Sequence, residues 1–318
     1  MGSSIDKMVK TAFLFPGQGA QYVGMGKELY ENFSFAREIY EEAKQVLGFD
    51  IATLCFFGPE EALNLTENTQ PAILINSIIA LKTLGDHDIE VVMSAGHSLG
   101  EYSALVAAGA IELSDAVGLV QKRGRFMQEA VPLGEGAMAA ILGLSPEKVQ
   151  NICQKHSSES HLVQPANINS PCQIVIAGHT EAVKKVSFLA QKAGAKKTVL
   201  LPVSAPFHCP LMKSAELKLE AELEKVKFKS LSFPVITNVD AIPIKDGNIA
   251  RESLRKQVCS PVRWIETMDI FLNYGIKRVI EFGPGRVLSG LIKQFDKSVE
   301  CFQINDLRSL EKTLAALK

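Results

Sequence analysis

Short apolar runs alternate with amphipathic stretches along most of this 318-residue chain. Residues 11–15 (TAFLF), 89–95 (IEVVMSA), 233–238, 277–281 and 298–303 read as strands, bounded by turn residues and too short for helices. Residues 27–47 read as a helix with a break near Ser34. Residues 71–84 (PAILINSIIALKTL) read as a strongly apolar helix stopped by Gly85. Further helices are expected from about Leu99, from a cap at Ser114 or Asp115 to about Val131, over 211–227, 249–259 and 262–274, up to about Phe295, and over 306–317. Strand–helix alternation of this kind predicts an α/β fold with a parallel sheet.

The rhythm changes at Pro132-Leu133-Gly134-Glu135-Gly136. Residues 138–144 alternate as a strand, and 146–155 read as a helix capped by Ser145. Residues 162–167 and 173–177 are strands around Asn169-Ser170-Pro171. Residues 180–193 form a helix ending at Gly194, and 197–203 form a strand. The order β-α-β-β-α-β is that of a ferredoxin-like unit. The expected division is a small inserted domain, 134–203, within a larger discontinuous one, 9–133 and 204–318.

A net charge of −1, from 34 basic and 35 acidic residues, and the absence of a basic stretch with interleaved aromatics argue against nucleic acid. A hydrophobic share of 47% is enough for a full core. The six cysteines are scattered without a C-x-x-C pair, which argues against a zinc or redox centre and for a reducing compartment. No apolar run approaches the ~18 residues of a membrane span. The polar start MGSSIDKM reads as a frayed terminus. The expectation is a cytoplasmic protein with no metal, no cofactor and no membrane partner.

The candidate chemistry begins at Gly96-His97-Ser98-Leu99-Gly100. A strand before and a helix after make this G-x-S-x-G a nucleophile elbow, with Ser98 as nucleophile and helix-start N–H groups near a developing oxyanion. The alternative is a glycine-rich turn in which Ser98 is an inert cap. Phe15-Pro16-Gly17-Gln18-Gly19-Ala20-Gln21 is a tight loop at a strand's C-terminal end, where α/β sheets bind ligands. It lacks the third glycine of a dinucleotide fingerprint and the G-K-[ST] of a P-loop.

On the helix that follows, Ala116, Val117, Val120, Gly124, Met127 and Val131 share one face. Arg123 falls on that apolar side. An inward guanidinium needs an anion. It either snorkels to the helix edge, pairs with a structural carboxylate, or forks onto a substrate carboxylate or phosphate. Arg125 lies on the polar face and is expected to be solvated.

A serine nucleophile needs a base. His97 adjoins Ser98, but successive side chains diverge at an elbow. His87, His156 and His161 lie in polar segments, and His179 follows a strand of the insert. His208 lies in Ala205-Pro206-Phe207-His208-Cys209-Pro210, held between prolines where the chain re-enters the larger domain. It is the candidate base, the alternative being a histidine that packs the domains together. No acid stands where an α/β-hydrolase would place one. The third group is a backbone carbonyl, an amide, or an acid elsewhere.

Taken together, Phe15–Gln21, Gly96-His97-Ser98-Leu99-Gly100-Glu101, Gln121-Lys122-Arg123-Gly124 with Met127-Gln128, Asn167 in PANIN, Val203-Ser204-Ala205-Pro206-Phe207-His208 and Gly283-Pro284-Gly285 resemble the malonyl-CoA:acyl carrier protein transacylases. They also resemble the acyltransferase domains of polyketide and fatty-acid synthases. A free-standing chain of this length is closer to the dissociated, bacterial-type enzymes.

The resemblance implies an α/β-hydrolase-like core with a ferredoxin-like insert. It implies Ser98 as acylated nucleophile, His208 as base, the N–H groups of Gln18 and Leu99 as oxyanion hole, and Arg123 as clamp on the free malonyl carboxylate. A main-chain carbonyl near a Gln-x-x-x-Pro stretch, here Gln257 to Pro261, would orient the histidine. Met127, Asn167, Phe207 and His97 would line the substrate site. Leu99 and Phe207 match the malonyl type of related acyltransferases. The implied partners are malonyl-CoA and an acidic acyl carrier protein, with Lys196, Lys197 and Arg286 as candidate basic contacts, and the chain acting as a monomer. Cys209, beside His208, is expected to be packed yet near enough to the site to risk alkylation. The rival functions are a serine esterase or thioesterase, for which an inward Arg123 has no use, and a non-catalytic scaffold.

Overall fold

The computed structural model describes residues 9–85, 87, 89–203 and 205–317. The polar N-terminal stretch and Ser204 of the return segment, both singled out above, lie outside the described residues. Among the described residues ten strands form two sheets: β1 (Thr11–Phe15), β2 (Val91–Gly96), β3 (Gly136–Leu142), β4 (Val163–Ser170), β5 (Gln173–His179), β6 (Lys197–Leu200), β7 (Val235–Ile236), β8 (Pro243–Ile244), β9 (Arg278–Phe282) and β10 (Glu300–Ile304). The larger sheet has the order β10-β9-β1-β2-β7-β8. Its first five strands run parallel, and β8 turns back against β7.

All five residues of β1 are buried, as a central strand covered on both faces requires. Phe13 and Phe15 face one side, where the Phe13 and Phe282 rings meet edge-on at 4.8 Å. Ala12 and Leu14 face the other, with Trp264, Met268 and Leu291 from the helices Trp264–Asn273 and Val287–Phe295. The register pairs Phe15 with Gly96. The loop after β1 and the turn after β2 therefore start at the same height on the sheet's C-terminal edge.

The smaller sheet is antiparallel, in the order β4-β5-β3-β6. On one face Ala139, Ile141, Ile174 and Ile176 pack with Val149, Cys153, Val183 and Val186 of the helices Pro146–His156 and Thr180–Lys192. Met138, Val175 and Ala177, on the opposite face, join the main core. The period-two alternation of a strand thus serves two cores at once. A main-chain bridge between Asn167 and Val262 stitches β4 to the larger unit, through Ile168 N to Val262 O at 2.9 Å and Val262 N to Ala166 O at 2.8 Å.

Several expectations need correction. The apolar helix starts at Thr66, one polar turn before Pro71. A proline this close to a helix start removes one backbone bond, and the Thr69 hydroxyl ties the turn to Leu63 O. The helix that carries Arg123 starts at Leu113 beside Glu112, with no cap from Ser114 or Asp115. The helix expected over 211–227 is a short 3₁₀ turn, Pro210–Met212, followed by Lys213–Leu223. The strand expected over 233–238 shrinks to β7, with β8 as an unforeseen partner, and that expected over 197–203 ends at Leu200. Short helices at Ile51–Phe57 and Glu60–Leu63 were also unforeseen; the Asp50 side chain caps the first. No helix of the described residues is long and apolar enough to cross a membrane.

Candidate active site

β2 ends in Gly96, and the helix Gly100–Ala107 begins four residues later. The turn between them holds Ser98 at φ 51°, in the left-handed region that L-residues avoid. Both glycines are sterically required. A Cβ on Gly96 would lie 1.8 Å from Gly100 O, and one on Gly100 would lie 2.0 Å from Phe15 O. Polar side chains hold the turn. Asn238, just past β7, accepts from Ser98 N at 2.7 Å and donates to Gly96 O at 2.7 Å. Gln257 Nε2 donates to Ser98 O at 3.1 Å. Ser98 is thus a strained elbow residue, and its hydroxyl points at an imidazole rather than capping the helix.

The candidate base, His208, is also left-handed at φ 60° and is 3% exposed. Its Nε2 lies 2.7 Å from Ser98 Oγ and its Nδ1 2.9 Å from the main-chain oxygen of Gln257. A carbonyl only accepts, so Nδ1 carries the proton and Nε2 presents a lone pair to the serine hydroxyl. The orienting group is therefore a backbone carbonyl. Burial, and next the Arg123 cation, push the His208 pKa down to about 3. The imidazole is neutral at ordinary pH.

Arg123 is 1% exposed, on the helix Leu113–Glu129. Its Nη1 donates to Gln70 Oε1 at 2.8 Å. Its Nη2 donates to Gln257 Oε1 at 2.8 Å and to Ser98 Oγ at 3.1 Å. The guanidinium lies 5.6 Å from the Tyr102 ring centroid. Its acceptors are neutral, its Nε has no hydrogen-bond partner, and among the described residues no carboxylate forms an ion pair with it. No structural carboxylate therefore pairs with it directly. Burial lowers the guanidinium pKa, yet arginine stays charged.

The other candidate residues lie on several elements around the Ser98–His208 pair or away from it. Gln18 follows β1, and its side chain donates to Thr66 Oγ1 at 3.3 Å. Neither the Gln18 nor the Leu99 backbone N–H meets a backbone acceptor in the turns among the described residues. Met127 is buried, and its sulfur receives Gln70 Nε2 at 3.9 Å. Phe207 is buried next to His208. His97 turns away from Ser98: its Nε2 meets Asn169 Oδ1 at 2.8 Å, its ring tilts 5.3 Å from Trp264, and burial lowers its pKa. Asn167 is buried on β4 and joins the site's frame through main-chain pairing with Val262. Lys197 is on β6, with Lys196 just before it, whereas Arg286 flanks the helix Val287–Phe295 of the other sheet. Arg125 is exposed, as expected. The alkylation risk at Cys209 is not borne out. Its thiol is fully buried, donates to Pro206 O at 3.1 Å, and is pushed up to about 12 by burial.

Sequence reasoning missed Gln70, Gln164, Asn169, Asn238 and Ser253. Gln164 Nε2 donates to His208 O at 3.2 Å, and Ser253 Oγ reaches Glu101 Oε1 at 3.1 Å. The signal available for Gln70 was its adjacency to an apolar run, and for Asn238 its place just beyond a strand end.

Residues 12–307 match the acyl transferase domain family. The malonyl CoA-acyl carrier protein transacylase of Bacillus subtilis (strain 168) is 46% identical over 311 residues, which cover 98% of each chain. The solved structure of the corresponding transacylase from Coxiella burnetii superposes with a TM-score of 0.94 at 41% identity, covering 98% of each chain. A malonyl-transacylase solved in complex with a type II PKS acyl-carrier protein matches with a TM-score of 0.93 at 42% identity, covering 96% of this chain and 99% of that one. The chain belongs to the malonyl-CoA–acyl carrier protein transacylases, a branch of the acyl transferase family.

Proposed function

We propose that this chain transfers the malonyl group of malonyl-CoA to the phosphopantetheine thiol of an acyl carrier protein, through a malonyl ester on Ser98, in fatty acid biosynthesis. One observation carries the reading: Ser98 Oγ lies 2.7 Å from a neutral His208 Nε2 and 3.1 Å from Nη2 of an arginine that lacks a carboxylate partner. The names of the relatives support it.

In the first half-reaction, Ser98 Oγ attacks the thioester carbonyl as His208 Nε2 takes its proton. The N–H groups of Gln18 and Leu99 receive the tetrahedral oxyanion. The C–S bond breaks, and the imidazolium returns the proton to the departing CoA sulfur. In the second, His208 deprotonates the carrier thiol, the thiolate attacks the malonyl ester, and Ser98 leaves with the proton. Arg123 holds the free carboxylate in place of neutral amide oxygens. That pairing favours malonyl over acetyl, because acetyl brings no carboxylate to the buried cation. It also offsets the cation's effect on His208, so a bound malonyl group strengthens the base.

The architecture behind this chemistry is read as an α/β-hydrolase-like core, 9–133 and 204–318, with a ferredoxin-like insert, 134–203. The elbow after β2 supports the first assignment and the strand order β4-β5-β3-β6 the second. The compartment is the cytoplasm. Mixing the protein with malonyl-CoA and holo carrier protein, followed by mass spectrometry, tests the function. Malonyl-carrier is the expected product. Free malonate without malonyl-carrier would overturn transfer in favour of hydrolysis.

A further inference from the structure

Behind the dyad lies a carboxylate that the mechanism above does not use. Glu101, in the first turn of the helix Gly100–Ala107, is fully buried. Its Oε2 accepts from Asn238 N at 2.9 Å and from Gln257 Nε2 at 2.7 Å, and its Oε1 accepts from Ser253 Oγ at 3.1 Å. The other end of the same Gln257 amide accepts from Arg123 Nη2 at 2.8 Å. One amide therefore bridges a buried cation and a buried carboxylate. Its orientation is fixed, with oxygen toward the guanidinium and nitrogen toward the carboxylate. Burial raises the Glu101 pKa to about 7, while the surrounding donors and the Arg123 cation pull it toward the ionised form. The start of a helix favours the anion as well.

We infer that Glu101 is the resting counter-charge of Arg123, reached through the Gln257 amide, and that it sets how tightly the site takes an acyl carboxylate. This rests on the reading of Arg123 as the carboxylate clamp. A cation alone in a dry pocket would destabilise the empty enzyme and hold an arriving carboxylate too firmly to release it. An anion one amide away offsets both effects. It neutralises the pocket at rest and repels the malonyl carboxylate once bound. Glu101 is thus a positioning and specificity residue that acts through Gln257 and never touches the reacting atoms.

Glu101→Gln removes the charge and keeps the bonding. Its oxygen can still accept from Asn238 and Gln257, and its amide nitrogen can donate to Ser253. The expected result is a KM for malonyl-CoA lower by on the order of tenfold, the scale of one charge–charge interaction at intermediate dielectric. The KM for acetyl-CoA should be unchanged, kcat for malonyl transfer reduced and the melting temperature lower. The Glu101→Gln/Arg123→Gln double variant should melt above Glu101→Gln alone. If the single variant does not fold, the double variant should.

An unchanged malonyl KM, equal shifts for malonyl and acetyl, or a double variant no more stable than Glu101→Gln would each overturn the proposal. Failure of the clamp reading shows separately. Arg123→Ala would then depress malonyl and acetyl transfer equally, whereas the melting comparison needs no substrate.

Discussion

At the C-terminal edge of the parallel sheet, Gln18, Ser98 and Asn238 sit on segments leaving β1, β2 and β7. The reacting serine there has left-handed backbone. On the antiparallel sheet, Gln164, Asn167 and Asn169 sit within β4 in extended backbone. In the proposed mechanism the first group supplies the nucleophile, its surrounding N–H groups and the residue that fixes the turn. The second holds what others use: Asn169 holds His97, and Gln164 holds the carbonyl of His208. Chain ends beyond strands can take unusual conformations when neighbours pin them, while residues inside a ladder can only brace.

The sharpest way to break this contrast is to remove the reacting atoms. Ser98→Ala and His208→Ala should each lower malonyl transfer by on the order of 10³-fold or more, read in a steady-state transfer assay. Substitutions on β4 with losses of that size would erase the distinction. A smaller change is expected at Arg123, which lies on neither sheet. Arg123→Ala should cut kcat/KM for malonyl-CoA by about 10²-fold while acetyl transfer holds. Catalysis needs neutral His208, and the cation depresses its pKa. Removing the cation raises that pKa, so the acid limb of the pH–rate profile should move to higher pH. A limb that stays in place would show burial alone to be responsible. The smallest effects belong to the bracing residues. Gln164→Ala and Asn169→Ala should each cost about 1 kcal/mol in chemical denaturation and less than about tenfold in transfer rate.

The sequence made the elbow legible because a β-branched apolar run, two glycines and an alanine-rich helix all point to one local geometry. Arg123 was legible as a charge on an apolar helical face. Its lack of a carboxylate partner was not, because that depends on Gln70 and Gln257 arriving from elements 53 residues before it and 134 after it. Gln70 itself was hidden by Pro71, which made the helix seem to begin one turn late. The group that orients His208 is a main-chain oxygen, and no side-chain pattern announces it; only the family resemblance pointed to Gln257. The two-residue strands β7 and β8 are too short for period-two alternation to register, although β7 positions Asn238.

Ser98 at φ 51° and His208 at φ 60° put both halves of the proposed proton-transfer pair in backbone conformations that cost on the order of 1–3 kcal/mol each. The fold gives up stability at the two positions where it gains reactivity, and this narrows what evolution can try there. A β-branched threonine at 98 would offer the same hydroxyl but resist the left-handed backbone. Glycine would relax it and lose the chemistry. Position 98 therefore admits few residues that keep both the turn and a reactive hydroxyl.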